Sequence, residues 1–495
     1  MWASIESFGA FARGRLAAPL GIAAGAVLLR AISGVGFANY DTLYALAWGQ
    51  QLSRGATPAY EVPIAPTPHP LVEVLGLVLS PLGPHATVSV TVWLGFLALS
   101  GCGWVIYSLG ARWFGRPAGA VAAIIFLSRP EVLSYGVRAY VDLPYLLLVL
   151  GAVLAEARSR DQQEHPSGAP VLALLGLAGL FRPEAWVFSG LYWLYLMGLV
   201  PEWAAGRRPA RGDRREVARL TLLAGAAPLL WVLSDLLVTG DPLWSLSNTR
   251  HTAQTLGRES GIAKVPEYLP RRIGEILHPD GLLAAGAGGI LSLLWLRRRA
   301  LFGAAAGVLA VVVFALFATA GLPINTRYAF LAASILCIFA GAGVFGWICL
   351  PADHPRRRAW MACGAVLLAV LLAFAPSQYR TAHRQLDELG RQQSIEGDLL
   401  ALVSDHAITL RCGPIAVPNH APVPLLALYL KTSPANIVSL QYGNIASGVY
   451  VDPASREVEQ DYILDAHDPV KAVGVPTGFT RAASNRSWVI YQRCA

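Results

Sequence analysis

The chain is poor in charge. Only 14% of its 495 residues are Asp, Glu, Lys or Arg, while 55% are hydrophobic. A soluble globular chain carries about a quarter charged residues, so this composition excludes one. Lysine is almost missing: of 39 basic residues, only Lys264, Lys431 and Lys471 are lysine, a bias that reads as genome composition. The apolar runs lack strict alternation, which excludes a closed barrel. No pair of histidines stands at metal-ligand spacing, and no internal repeat is evident. The net charge of +8 does not imply nucleic acid, because the arginines sit in short clusters between apolar runs, where they act as topology signals.

What is present is a series of apolar runs of about 20 residues, each long enough to cross a hydrocarbon core. The reading is an α-helical polytopic membrane protein of about eleven spans. Arg13 and Arg15 precede span 1, which runs to Phe37. A proline-rich loop, 38–85, follows with two amphipathic pieces, "DTLYALAWGQQL" and "HPLVEVLGLVLSPLG", the second lying along the membrane interface. Spans 2 to 7 fall at 86–109, 117–134, 142–157, 169–181, 185–201 and 219–239. A long polar loop, 240–278, precedes spans 8 to 11, the last closing near Ala375. Arginine clusters mark every second connection, most densely "GRRPARGDRREVAR". The alternation predicts a cell-membrane protein with a cytoplasmic N-terminus and an extracytoplasmic C-terminus. No cleavable signal is required, since span 1 can target the chain.

The composition changes near residue 377. One helical stretch leads into the β-rich runs "GPIAVP", "ANIVSL", "GVYVDP" and "SWVIYQR". Residues 1–376 therefore read as a transmembrane domain and 377–495 as a small extracytoplasmic α/β domain. Cys412 and Cys494 bracket the latter and make a plausible disulfide in an oxidising compartment. Cys102, Cys337, Cys349 and Cys363 lie in apolar runs and read as inert small hydrophobes.

Ionisable groups at span ends are the informative residues, being costly there and usually functional. On the predicted outer side these are Asp41, Arg129 paired with Glu131, Arg138 paired with Asp142, Arg182 with Glu184, and Arg327, with Asp235 a turn inside span 7. Each has a plain local reading. Asp41 and Asp142 suit helix caps, Arg182 an interfacial anchor or a partner of Glu184, and Arg327 a side chain snorkelling to headgroups. Two acids and two arginines at one level also suit transfer of a sugar from a polyprenyl phosphate. The leaving phosphate gains charge and needs oriented cations, and the acceptor hydroxyl needs a carboxylate for its proton.

At these residues the chain resembles the GT-C superfamily of membrane glycosyltransferases, which includes protein O-mannosyltransferases, lipid A aminoarabinose transferases and actinobacterial mannosyl- and arabinosyltransferases. The matching segments are "NYDTLYALAWGQQLSRGATPAY" after span 1, "PHPLVEVLGLVLSPLG" before span 2, "VDLPYLL" at span 4, "GLFRPEAW" between spans 5 and 6, and "NTRY" at a later span end. The resemblance covers residues 15 to 345. It implies a large first outer loop and inverting transfer of a monosaccharide from a polyprenyl-phosphate donor to a glycan, lipid or protein acceptor on the outer face. It implies Asp41 as catalytic base and Asp142 as a second acid. It also implies Arg182 at the lipid phosphate, where Arg327 is read as a second contact. Arg138, Glu184, His69, Arg250 and His251 are weaker cavity candidates, with the two histidines reading as polar contacts in the loops. Where many members carry paired acids, this chain has Asn39 and Tyr40 beside a lone Asp41. A divalent cation, Mg or Mn, is thus an open expectation, since hard cations want several oxygen ligands. A transporter or flippase of a lipid-linked saccharide, or a non-catalytic membrane scaffold, are the alternatives.

Overall fold

The computed structural model describes residues 2–161, 168–199, 214–463 and 474–494, with side chains described from residue 16 onward. Helix α1 spans Trp2–Ser33 and α2 spans Tyr40–Leu52. The short α3 (Pro70–Leu79) leads to the long α4 (Pro84–Phe114). Next come α5 (Arg116–Leu127), α6 (Pro130–Val137), α7 (Asp142–Asp161), α8 (Ala169–Gly179) and α9 (Glu184–Leu196). Then follow α10 (Arg214–Thr239), α11 (Trp244–Thr255), α12 (Val265–Trp295), α13 (Arg297–Thr319), α14 (Phe330–Phe345) and α15 (Arg357–Ser404).

Among the described residues, seven helices are long and apolar enough to cross a membrane, or eight if the bent pair α5–α6 is one span. The chain is a multi-pass membrane protein. Each of the eleven apolar runs falls on a helix, but not all are full spans. Helix α8 has 11 residues. Span 3 divides into α5 and α6 with a 66° bend, where Pro130 opens the second helix and its predecessor Arg129 is extended. Helix α14 forms the centre of the bundle, with 89% of its apolar window buried, whereas α10 has 17% and shows Leu222, Leu229 and Leu237 outward, as a lipid-facing helix should. The polar loop expected at 240–278 is largely helical, made of α11 and the start of α12. Most of the arginine block after α9 lies outside the described residues, and its end opens α10.

Two expected ion pairs have other partners. Arg129 pairs with Asp280 at 2.9 Å rather than with Glu131. The bend before α6 turns its guanidinium toward α12, which is itself broken at His278. Arg138 does not pair with Asp142. It donates to the Ser134 carbonyl and hydroxyl and lies over the rings of Tyr135 and Tyr140. Asp235 serves as a local cap, accepting from the N–H and the hydroxyl of Ser245 at the start of α11.

The boundary expected at 376/377 is not a linker. Helix α15 runs unbroken through it for 48 residues, because good helix formers continue past Pro376. Its second half supports a five-stranded sheet of order β2-β1-β3-β5-β4. The strands are β1 (Ile415–Val417), β2 (Ile437–Ser439), β3 (Gly448–Pro453), β4 (Thr480–Ser484) and β5 (Trp488–Arg493), with α16 (Val423–Tyr429) between β1 and β2. Strand β1 is parallel to β2 and β3, while β5 is antiparallel to β3 and β4. A disulfide joins Cys412 to Cys494.

The apolar interior has two main parts. One fills the helix bundle. The other joins α2 to the C-terminal region: Leu43, Leu46 and Trp48 pack in one core with Leu399, Val417, Leu426 and Trp488. Helix α2 is buried from Thr42 to Gln51. It packs backbone-to-backbone on α3, since a Cβ on Gly49 would lie 2.2 Å from the Glu73 carbonyl oxygen. The first loop and the C-terminal domain thus form one layer over the bundle.

Candidate active site

The site begins with Asn39. Its side-chain oxygen accepts the N–H groups of Asp41 and Thr42, at 2.8 and 3.2 Å. Asn39 is the N-cap of α2, and Asp41 is inside the first turn. The cap role open to Asp41 is therefore filled by a neighbour, and the Asp41 carboxylate is left for something else.

The same turn is stitched to the segment before α7. Phe37 and Asn39 donate their N–H groups to the carbonyls of Val137 and Arg138. The Asn39 amide donates to Arg138 O at 3.0 Å, and the Thr42 hydroxyl to Ala139 O at 2.9 Å. Ala139 has φ +48°, a conformation that costs a residue with a Cβ about 1–2 kcal/mol. It persists because four hydrogen bonds and the close approach of Gly95 fix the turn. Asp41 and Asp142 are held on one rigid frame.

Two further elements supply the cations. Arg327 lies on a 3₁₀ turn, Thr326–Ala329, before α14. Thr326 anchors this turn by donating to Glu275 at 2.8 Å. Arg182 lies between α8 and α9, fixed from the first loop: Leu71 N–H reaches Leu180 O, and His69 Nδ1 lies 2.8 Å from Phe181 O. A carbonyl only accepts, so the Nδ1–H form of His69 donates. Burial, reinforced by the Arg182 and Arg327 charges against the opposing pull of Asp41, lowers the His69 pKa to about 4 and keeps the ring neutral.

The result is an alternating row of charges. Arg327 Nη1 lies 2.8 Å from Asp41 Oδ2 and 3.9 Å from Asp142 Oδ2. Arg182 pairs with Asp142 and, at 2.5 Å, with Glu184. Asp41 is the most exposed of the three acids, at 18% for its side chain, and Asp142 the most buried, at 2%. Burial works to raise the Asp41 pKa, but the Arg327 guanidinium outweighs it and holds the carboxyl below its ordinary value. Arg182 also lies 4.4 Å over the Tyr328 ring. A small cavity is lined by Asp142, Arg182, Glu184 and Arg327 together with Phe188, Phe314 and Phe317.

The structure thus brings together Asp41, Asp142, Arg182, Glu184 and Arg327, with His69 as a support. Arg138 holds the turn below them. Arg250 donates to the Ala320 carbonyl, and His251 is exposed; among the described residues neither makes an ion pair or hydrogen bond with the row. Asn39, Thr326 and Tyr328 were not singled out by sequence reasoning. Asn39 carried a usable signal, an Asn directly before a helical run. Among the described residues no three His, Cys, Asp or Glu side chains gather as metal ligands, and Asp41 and Asp142 both face arginines.

No protein-family model and no curated protein sequence matches the chain. Solved structures do. ArnT from Cupriavidus metallidurans, in its crystal structure bound to undecaprenyl phosphate, superposes over 97% of this chain and 98% of its own, with a TM-score of 0.58 and 14% identity. The chain has the GT-C fold. The archaeal oligosaccharyltransferase AglB from Archaeoglobus fulgidus, in complex with an inhibitory peptide and a dolichol-phosphate, matches over 90% of this chain and 69% of its own, with a TM-score of 0.51 and 12% identity. The arabinofuranosyltransferase AftD from Mycobacteria covers 98% of this chain at a TM-score of 0.51 and 15% identity, and the chain spans 40% of that larger protein. At these identities the GT-C likeness is one of architecture, and the chemistry has to be argued from the site.

Proposed function

We propose that this chain is a glycosyltransferase. It moves a monosaccharide from a polyprenyl-phosphate donor to a hydroxyl of a glycan, lipid or protein acceptor on the extracytoplasmic face, with inversion. The observation that carries this reading is the row from Asp41 to Glu184 beside an aromatic-walled cavity. Arg182 and Arg327 offer cations to a phosphate, and Phe188, Phe314 and Phe317 offer an apolar surface to the first isoprene units. The lipid phosphates in the ArnT and AglB structures support a donor of this kind.

Asp41 is the partly exposed carboxylate and serves as base. The acceptor oxygen attacks the anomeric carbon as its proton passes to Asp41. The bond from that carbon to the phosphate oxygen breaks, and its electron pair leaves with the polyprenyl phosphate, stabilised by the arginines. Asp142, buried between Arg182 and Arg327, orients both cations.

The test is purified protein with synthetic polyprenyl-phosphate sugars and hydroxyl acceptors, following release of polyprenyl phosphate and product mass. Asp41→Asn should abolish transfer and leave donor affinity within a few-fold. Normal turnover in that variant would remove Asp41 as base.

A second reading, carriage of a lipid-linked saccharide, draws on the breaks at α5–α6 and in α12, since transporters use discontinuous helices. Here the charges at those breaks, Arg129 and Asp280, are buried against each other. Flip of a fluorescent donor across vesicles without any transfer would favour carriage.

A further inference from the structure

A second cavity, about 490 Å³, shares no lining residue with the row of charges and lies between the first loop and the C-terminal domain. Residues 57–63 form one wall, the end of α10 a second, and β2 with Tyr442 a third. The volume is within the range of ligand sites. The geometry points to a binding site for a neutral oligosaccharide, the part of the acceptor behind the hydroxyl that reacts. This rests on the glycosyltransferase reading and adds the class of acceptor to it.

Charge narrows the occupant first. No Lys, Arg or His lines the cavity, and its one charged residue is the exposed Glu61. A phosphorylated, sulfated or carboxylated ligand would meet no cation and one like charge. The polar groups that are present suit sugar hydroxyls. Thr57 and Ser439 can each donate and accept, and Glu61 accepts. Tyr442, partly exposed, offers a ring face for the apolar side of a pyranose or furanose.

Ser439 adds an independent observation. It is 9% exposed, and its hydroxyl is buried without a hydrogen-bond partner. A buried hydroxyl left unmatched is unfavourable, and this one belongs to a residue of the cavity wall.

The site is joined to the base. The wall at 57–63 runs directly into Ile64, whose carbonyl accepts the Tyr40 hydroxyl at 3.1 Å, and Tyr40 is the neighbour of Asp41. Tyr60 also packs edge-on against Trp48 of α2, with ring centroids 4.8 Å apart. A ligand held here is thus held by the loop that frames Asp41.

An extended peptide could instead pair with the free edge of β2. That strand is only three residues long, and the facing wall includes Pro58 and Pro63, which lack N–H donors. The unpartnered Ser439 hydroxyl and the Tyr442 ring favour the saccharide.

The experiment uses the full chain in detergent, without donor. Four neutral tetrasaccharides of mannose, arabinose, glucose and galactose are titrated by saturation-transfer NMR, beside a heparin tetrasaccharide and a threonine-rich decapeptide. At least one neutral tetrasaccharide should bind. Tyr442→Ala and Glu61→Gln should each weaken it about tenfold or more with an unchanged melting temperature, and Asp41→Asn should leave it within about twofold. Absence of binding by all four, indifference to both wall variants, or occupancy by the heparin fragment or the peptide instead would overturn the proposal. Because binding here requires no turnover, its failure is distinct from a failed transfer assay.

Discussion

Nη1 of Arg327 lies 2.8 Å from Oδ2 of Asp41 and 3.9 Å from Oδ2 of Asp142, so one guanidinium faces both aspartates. The row as a whole has three carboxylates and two guanidiniums, an excess of one negative charge. A donor phosphate bound here, as proposed, would compete with Asp41 and Asp142 for the arginines. Its binding would loosen the pair that holds the proposed base.

The pH dependence of transfer should show this. Arg327 holds the Asp41 pKa below its ordinary value against the raising effect of burial. The ionised base therefore persists to low pH. Arg327→Gln removes the largest influence opposing burial at that position, and the acid limb of kcat should move to higher pH. A pH–rate profile of the two proteins checks it, and an unmoved limb would detach Arg327 from the base.

Arg182 should matter for both stability and donor binding. Its side chain is 7% exposed between Asp142 and Glu184. Removing it leaves the buried Glu184 without its ion pair and Asp142 with only the 3.9 Å approach of Arg327, a loss of about 3–5 kcal/mol by analogy with other broken buried pairs. Arg182→Ala should lower the melting temperature and weaken donor binding. Arg182→Lys should restore little of the latter, because an ammonium cannot serve both acids and a phosphate in one plane. Donor titration by calorimetry separates the two effects.

Asn39→Ala should cost about 0.5–2 kcal/mol through loss of the cap. It also cuts the bonds to Arg138 O and Thr42 that align Asp41 with Asp142. We expect kcat to fall more than donor affinity. Asn39→Ser should recover part of the stability and little of the rate.

Replacing both Cys412 and Cys494 by serine opens a covalent loop with a sequence separation of 82. The expected cost is about 2–5 kcal/mol, confined to the C-terminal domain and α2. Limited proteolysis with mass mapping would locate it. Identical cleavage with and without reductant would show that the bond does not hold the domain together.

Transfer should continue in the presence of a chelator such as EDTA. The described residues gather no three metal-ligating side chains, and Asp41 and Asp142 both face the Arg327 guanidinium. A rate that collapses with EDTA and returns with Mg or Mn would overturn this.

Much of the architecture was legible because membrane helices announce themselves by length and composition. The breaks were harder to see. Nothing local in "SRPEVLSYG" says that Arg129 will turn to Asp280 rather than Glu131; that depends on the kink at His278, far away in sequence. The continuity of α15 was hidden by a change in composition, which altered the solvent and not the helix. Strand β4 escaped notice because "TRAAS" is an exposed edge without apolar alternation. In the site, charged span ends pointed to Asp41, Asp142, Arg182 and Arg327, while Asn39 was read only as a missing acid. Arg250 and His251 looked equally polar in sequence, and only packing removes them from the row.

Helix α2 is buried on almost every side, and its core partners are residues some 350 positions later in the chain. The loop that carries Asp41 and the C-terminal domain cannot therefore be exchanged as modules. A chimera that imports another protein's C-terminal domain would remove the packing that holds the helix of Asp41. New acceptor preferences should arise by change in cavity side chains, or by joint replacement of both segments, and not by domain grafting.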